Sequence, residues 1–356
     1  MSPAHLRSTA ANGARRGEDY AGRPGRECTQ NTFYCCYGAV TFVTPWEESV
    51  RTKLGAVLAF LGGFLVVVGL LAQFYAPGQL KKTPLDVDNV TRLSGTAVLS
   101  GESTPVKATS TTLANSEKSD DEVVVFQNSS CLVKDLPDTP DCVSADDPQN
   151  RLISAGIDDF ATDRVSAIAV NDPKYLPADA VPHEGLVNKW PFDSEKKTYP
   201  YWDDDVRGAV DAVYDRTEKL LGVECYVYKI SLADQPIEIA EGVPGTVSKE
   251  LEIWVEPLTG AVQNQILHQE QSLDDGTPVV TVDIQFTEDQ LQQSADDSKK
   301  NRSQLLLLTR TVPLVGYLVG IPALLIGLAL TFFARRRPEQ EDADADPRAP
   351  AEAGSR

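Results

Sequence analysis

The chain has 356 residues, with 52 Asp and Glu against 33 Lys and Arg, a formal net charge of −19 and 42% hydrophobic residues. Such an acid excess repels phosphate backbones and excludes nucleic acid as an expected partner. The excess lies in the middle, where residues 75–311 hold 41 acidic and 21 basic side chains, a balance of −20 over 237 residues that can bury a substantial core.

Residues 1–49 are rich in Arg and Gly and lack hydrophobic periodicity. They read either as a disordered cytoplasmic tail with Cys35 and Cys36 open to acylation, or as a misassigned start with translation beginning at Val50. Residues 50–74 form the first expected transmembrane helix, and its apolar run from Leu54 to Phe74 carries no charged side chain. That run exceeds the roughly 7 to 15 residues of a signal-peptide core. A second such run, residues 312–333, spans Val312 to Phe333. Arg51 and Lys53 before the first run and Arg335, Arg336 and Arg337 after the second place both termini in the cytoplasm and residues 75–311 outside it. Small-residue faces, Ala59-x-x-x-Gly63 and Gly316-x-x-x-Gly320, permit close packing between the spans or between copies, so a homo-oligomer is open. Neither run offers charged side chains to line an aqueous pore.

In the external segment, Thr91 to Phe126 breaks into short β-branched runs, of which Val123 to Phe126 is the clearest strand. Residues 135–150 read as loop, and Val165 to Val170 as a strand ending at the Asn171-Asp172-Pro173 turn. An aromatic, Pro-interrupted stretch follows, from Trp190 and Phe192 to Tyr199, Tyr201 and Trp202. These five side chains are candidates for a ligand groove, with packing beneath a sheet as the plainer alternative. Period-2 alternation then marks strands at Val223 to Ile230, Leu251 to Val255, Val262 to Leu267 and Val279 to Phe286, joined by short turns that favour antiparallel pairing. Thr287-Glu288-Asp289-Gln290 fits a helix start, and Gln290 to Arg310 reads as a polar stalk helix, open to continuing into the second span with a break near Pro313.

Cys131 and Cys142, flanked by Pro137 and Pro140, are expected to close a short surface loop as a disulfide in an oxidising exterior, and Cys225 to be a buried free thiol. His183 and His268 lack metal-ligand spacing, and no nucleophile elbow, phosphate-binding loop or His-Glu-x-x-His helix occurs. Asp203-Asp204-Asp205 lacks the alternation of a calcium loop and reads as a solvated turn or helix start. No enzyme activity, metal or cofactor is therefore expected. The expected fold class is an α+β membrane protein, with two transmembrane helices flanking a β-rich antiparallel extracytoplasmic domain. Its divisions are 1–49, 50–74, 75–286 for the β-rich domain, 287–311 for the stalk helix, 312–333, and 334–356 for a second disordered cytoplasmic tail.

The run Phe74-Tyr75-Ala76-Pro77 with Leu80 and Thr83-Pro84-Leu85-Asp86, then Leu186 to Phe192, Glu195 to Asp203 and Gly222 to Tyr228, resembles the actinobacterial porin PorA family, two-span membrane proteins with a domain of unknown function. The resemblance covers about Val50 to Arg337 and implies a cell-envelope setting. Its label implies an oligomeric channel or transport component, and it supplies no catalytic residue. Gly222 to Tyr228 followed by Trp254 to Gly260 is similar to the strand-turn-strand pattern of lipoprotein-carrier half-barrels, which implies lipid binding. The leading expectation is a membrane-anchored envelope protein whose external β-domain binds a lipid, glycan or protein partner; the rival is the channel.

Overall fold

The computed structural model of the chain describes residues 45–335. The tail readings for 1–44 and 336–356, the Cys35-Cys36 pair included, fall outside the described residues.

Ten antiparallel strands make one sheet: β1 (Asp88–Leu99), β2 (Glu102–Ala114), β3 (Val123–Lys134), β4 (Leu152–Asp163), β5 (Tyr199–Asp203), β6 (Gly208–Leu220), β7 (Val223–Ala240), β8 (Val243–Glu256), β9 (Ala261–Leu273) and β10 (Pro278–Phe286). The order is β4-β3-β2-β1-β10-β9-β8-β7-β6-β5, so two meanders fan out from a central β1–β10 pair that aligns Leu93 with Phe286 and Ala97 with Val282. Consecutive strands joined by short turns can only be antiparallel neighbours, which is why the meander repeats on both sides.

The sheet curls into a half-barrel whose two edges are tied through loop 164–198. Ala169 bridges to Thr162 at the end of β4, Ile168 bridges to Leu186, and Leu186 bridges in parallel to Tyr201 of β5. Backbone bonds from Val170 N to Ala161 O (2.8 Å), from Leu186 N to Pro200 O (2.8 Å) and from Trp202 N to Leu186 O (2.7 Å) complete the tie. The tie covers the C-terminal end of β4 and the middle of the short β5, blunting both sheet edges there.

This corrects the expected strand at Val165 to Val170. Asp163 Oδ1 accepts the N–H of Val165 (3.0 Å) and Ser166 (2.6 Å), and Ala167 takes φ +60°, so the segment is a turn that contributes single bridges. The strand lies just before it, in β4, whose middle residues are solvent-exposed and give no apolar alternation. β6 is also unforeseen, because it alternates charged side chains around one fully buried residue, Ala212.

Two cores occupy opposite faces of β7 and β8. Tyr228, Ile230, Ile253 and Val255 pack with Trp190, Tyr199 and Leu186 from the covering loop. Val223, Cys225, Val227 and Trp254 pack with Ala295 of α3 (Glu288–Leu306). Thr287 caps α3, its Oγ1 accepting the Gln290 N–H at 3.2 Å. No break follows at Pro313. A π-helical turn, Leu307–Thr311, carries the helix into α4 (Val312–Arg335), accommodating a proline that cannot donate to the ladder.

At the other end, α1 (Pro45–Phe74) leads into the short α2 (Ala76–Leu80). Helical residues Val50–Phe74 and Glu288–Phe333 are each long and apolar enough to cross a membrane. α1 and α4 pack antiparallel through glycines. A Cβ at Gly62 would lie 2.3 Å from Leu324 N, one at Gly327 2.3 Å from Ala59 N, and one at Gly316 2.7 Å from Leu65 O.

Candidate functional site

Register dictates what faces the inside of the half-barrel. Thr112 pairs with Asn128 and Asn128 with Asp158, while Phe126 pairs with Phe160 and Leu93 with Phe286, so β1 to β4 and β10 turn alternate side chains to one face. That face bounds a cavity of about 730 Å³. Its wall has a polar row, in which Asn128 Oδ1 accepts from Ser110 Oγ (2.8 Å) and Thr112 Oγ1 (3.0 Å), beside an apolar row of Leu93, Phe126, Phe160 and Phe286. α3 closes another side with Gln290, Ser294, Ser298 and Asn301, and Leu80, Leu305 and Leu308 line the end nearest α2 and α4.

Of the aromatic candidates, Phe192, Tyr201 and Trp202 line this cavity. Trp190 and Tyr199 do not. Trp190 is 0% exposed and stacks on Tyr201 (5.3 Å) and Tyr228 (5.1 Å), while Tyr199 meets Tyr228 edge-on at 5.7 Å. The loop holding them is clamped by the β8–β9 turn. Trp190 N donates to Gly260 O at 3.0 Å, and a Cβ at Gly260, where φ is +72°, would fall 2.0 Å from Trp190 O. Glu256 organises that turn from a fully buried position, accepting from Thr259 N (2.8 Å), Thr259 Oγ1 (2.7 Å) and Arg302 of α3 (2.8 Å).

The other singled-out residues are placed as follows. Ala59, Gly316 and Gly320 sit in the α1–α4 contact, whereas a Cβ at Gly63 would meet only Leu324 Cδ1, at 3.9 Å. Cys131 and Cys142 form a disulfide, and Cys225 is a buried free thiol pushed up to about 12 by burial. The acidic triplet opens a turn, as expected, but only Asp204 in it is exposed. Asp203 and Asp205 grip the buried Lys249 ammonium, and Asp203 Oδ1 caps the N–H of Asp205 (3.1 Å) and Val206 (3.2 Å).

Asp204 instead faces the cavity, accepting the Trp202 indole N–H at 2.6 Å. There it joins Asp158 and His183, the group among the described residues whose donor atoms converge closely enough to hold a metal, within 4.8 Å of one another. His183 Nδ1 donates to Val181 O (2.7 Å) and Nε2 lies 2.9 Å from Asp158 Oδ2. Burial works to lower the imidazole's pKa, and the bond and charge of Asp158 outweigh it, leaving it raised. Burial and the neighbouring Asp158 charge raise Asp204, against the Trp202 bond.

The porin PorA family model matches residues 54–329. The chain belongs to the porin PorA family. No curated protein sequence matches this PorA-family chain. Among solved structures, a DUF1329 family protein from Desulfovibrio piger ATCC 29098 is similar at 8% identity over 65% of this chain and 91% of that one; its TM-score of 0.17 carries no argument. In this PorA-family chain, sequence reasoning missed the polar wall and Lys189. The available signal was Asn, Ser and Thr recurring at every second position, as in Asn89-x-Thr91 and Ser110-x-Thr112, which marks a face turned to something other than a close-packed core.

Proposed function

We propose that this chain is a two-span, membrane-anchored envelope protein whose half-barrel, held outside the cytoplasmic membrane, binds one amphiphilic lipid in its internal cavity. The observation that carries this reading is the cavity's position. Leu80, Leu305 and Leu308 line it beside the helices that are apolar enough to enter a bilayer, which brings the cavity within reach of an acyl chain from the membrane. Its volume of about 730 Å³ falls in the range of small-molecule sites. The mixed wall suits a molecule with both an apolar and a polar part. Support for the external placement comes from the Cys131–Cys142 disulfide, the −20 balance of residues 75–311 and the triple Arg after α4.

The glycine contacts of α1 and α4 favour an anchor over a pore within one chain, because backbones in direct contact leave no lumen between them. Titration of the purified full-length protein with a fluorescent acyl probe tests the reading. Saturable one-to-one binding is expected, weakened at least about tenfold by Gln265→Trp, which fills the cavity from β9. Reproducible single-channel steps in planar bilayers, with no probe binding, would replace this reading with the channel.

A further inference from the structure

The cavity wall carries two lysines, Lys82, whose Nζ donates to Asp121 O at 3.2 Å, and Lys189, which has no anion among the described residues. Lys189 Nζ donates to Thr83 Oγ1 at 3.3 Å and lies 4.1 Å over the Phe192 ring. Among the described residues no carboxylate reaches its ion-pairing distance, in a segment where acidic side chains outnumber basic ones almost two to one. Asp193, four residues along, is taken by Lys81. On the cavity wall, Asp158 is held by His183 and Asp204 by Trp202, and Asp297 of α3, which also lines the cavity, makes no ion pair with Lys189. The adjacent Asn188 also lines the cavity, and its Oδ1 is buried with no hydrogen-bond partner.

A sheltered ammonium and an unfilled buried acceptor both cost free energy unless a bound group supplies their partners. Sheltering alone lowers the Lys189 ammonium to about 8, still charged for the most part at neutral pH. An aromatic face and a hydroxyl partly solvate such a cation but do not neutralise it.

We infer that the cavity selects amphiphiles with an anionic headgroup, Lys189 receiving a phosphate or carboxylate oxygen while Asn188 accepts a hydrogen bond from the same headgroup. This rests on the lipid-binding reading above and names its substrate class. Lys189 Nζ reaches Thr83, three residues from Leu80, so a headgroup held there leaves its acyl chains free to run toward the membrane helices. Arg would keep the contact; a neutral side chain of similar length would keep the packing and lose the charge.

The full-length protein in non-ionic detergent is mixed with equimolar phosphatidylglycerol and diacylglycerol, and bound lipid is quantified by native mass spectrometry. Preference for phosphatidylglycerol of about tenfold or more is expected, abolished in Lys189→Met and kept in Lys189→Arg, with diacylglycerol binding unchanged in all three. Retained diacylglycerol shows that the Met variant is folded. Equal binding of both lipids by the natural chain, or an undiminished preference in Lys189→Met, overturns the inference and leaves lipid binding standing. Failure of the folded natural chain to hold either lipid overturns the lipid reading itself. Inorganic phosphate bound at Lys189 in lipid-free protein, with no lipid taken up, would make a free anion the occupant and overturn the headgroup assignment.

Discussion

His183 is 2% exposed, with Nδ1 committed to a backbone carbonyl, so Nε2 faces the Asp158 carboxylate either as a donor or as an unpaired acceptor. Its folded pKa lies above the unfolded value of about 6.5. The pair's contribution is therefore fully present below about pH 6.5 and is lost as pH rises through the raised folded value. The melting-temperature gap between the natural chain and His183→Gln should shrink from about pH 6 to about pH 9. A gap that stays constant, or widens, would mean that His183 does not hold its proton in the fold. Glu256 yields a second prediction at this scale. Its carboxylate joins the β8–β9 turn to α3 through Arg302, so Glu256→Ala should cost about 2 to 4 kcal/mol in chemical denaturation, with Glu256→Gln recovering part. Neither role was legible in the sequence. Asp158, His183 and Asp204 are separated by 25 and 21 residues, and only the tie of loop 164–198 to both sheet edges brings them together.

The glycines that join α1 to α4 form a spaced set, Gly55, Gly62 and Gly69 opposite Gly327, Gly320 and Gly316. Their seven-residue spacing in α1 keeps one face toward the partner, which the Ala59-x-x-x-Gly63 reading located only in part. Gly62→Leu should separate the helices and lower stability by about 1 to 3 kcal/mol, whereas Gly63→Leu should be nearly silent. Disulfide trapping between cysteines introduced at neighbouring α1 and α4 positions reads the difference; equal trapping in both variants would reject this packing. Among the strands, β7 to β10 were readable from their apolar residues, β7 and β8 because a core packs on each of their faces. β1 and β2 were only partly so. Their inner face meets a cavity rather than a core, and Asn, Thr and Ser replace the aliphatics that would have revealed the period.

As a whole the molecule is a pair of apolar helices continuous with a half-barrel whose interior is unfilled at one end. α4 runs through a π turn into α3, and α3 forms a cavity wall, so the apolar helix and the cavity wall are one element. The two membrane-length apolar helices and the family were legible from the apolar runs and the ordered aromatic motifs. The cavity was not, because it is a property of strand order, and the central β1–β10 pairing joins segments nearly 200 residues apart. The central claim is that this cavity holds an amphiphile, and native mass spectrometry of the full-length protein, extracted gently in detergent, tests it most directly. One co-purified lipid per chain, absent from Gln265→Trp, is the predicted result. A lipid-free natural chain that still takes up none when lipid is added would contradict it.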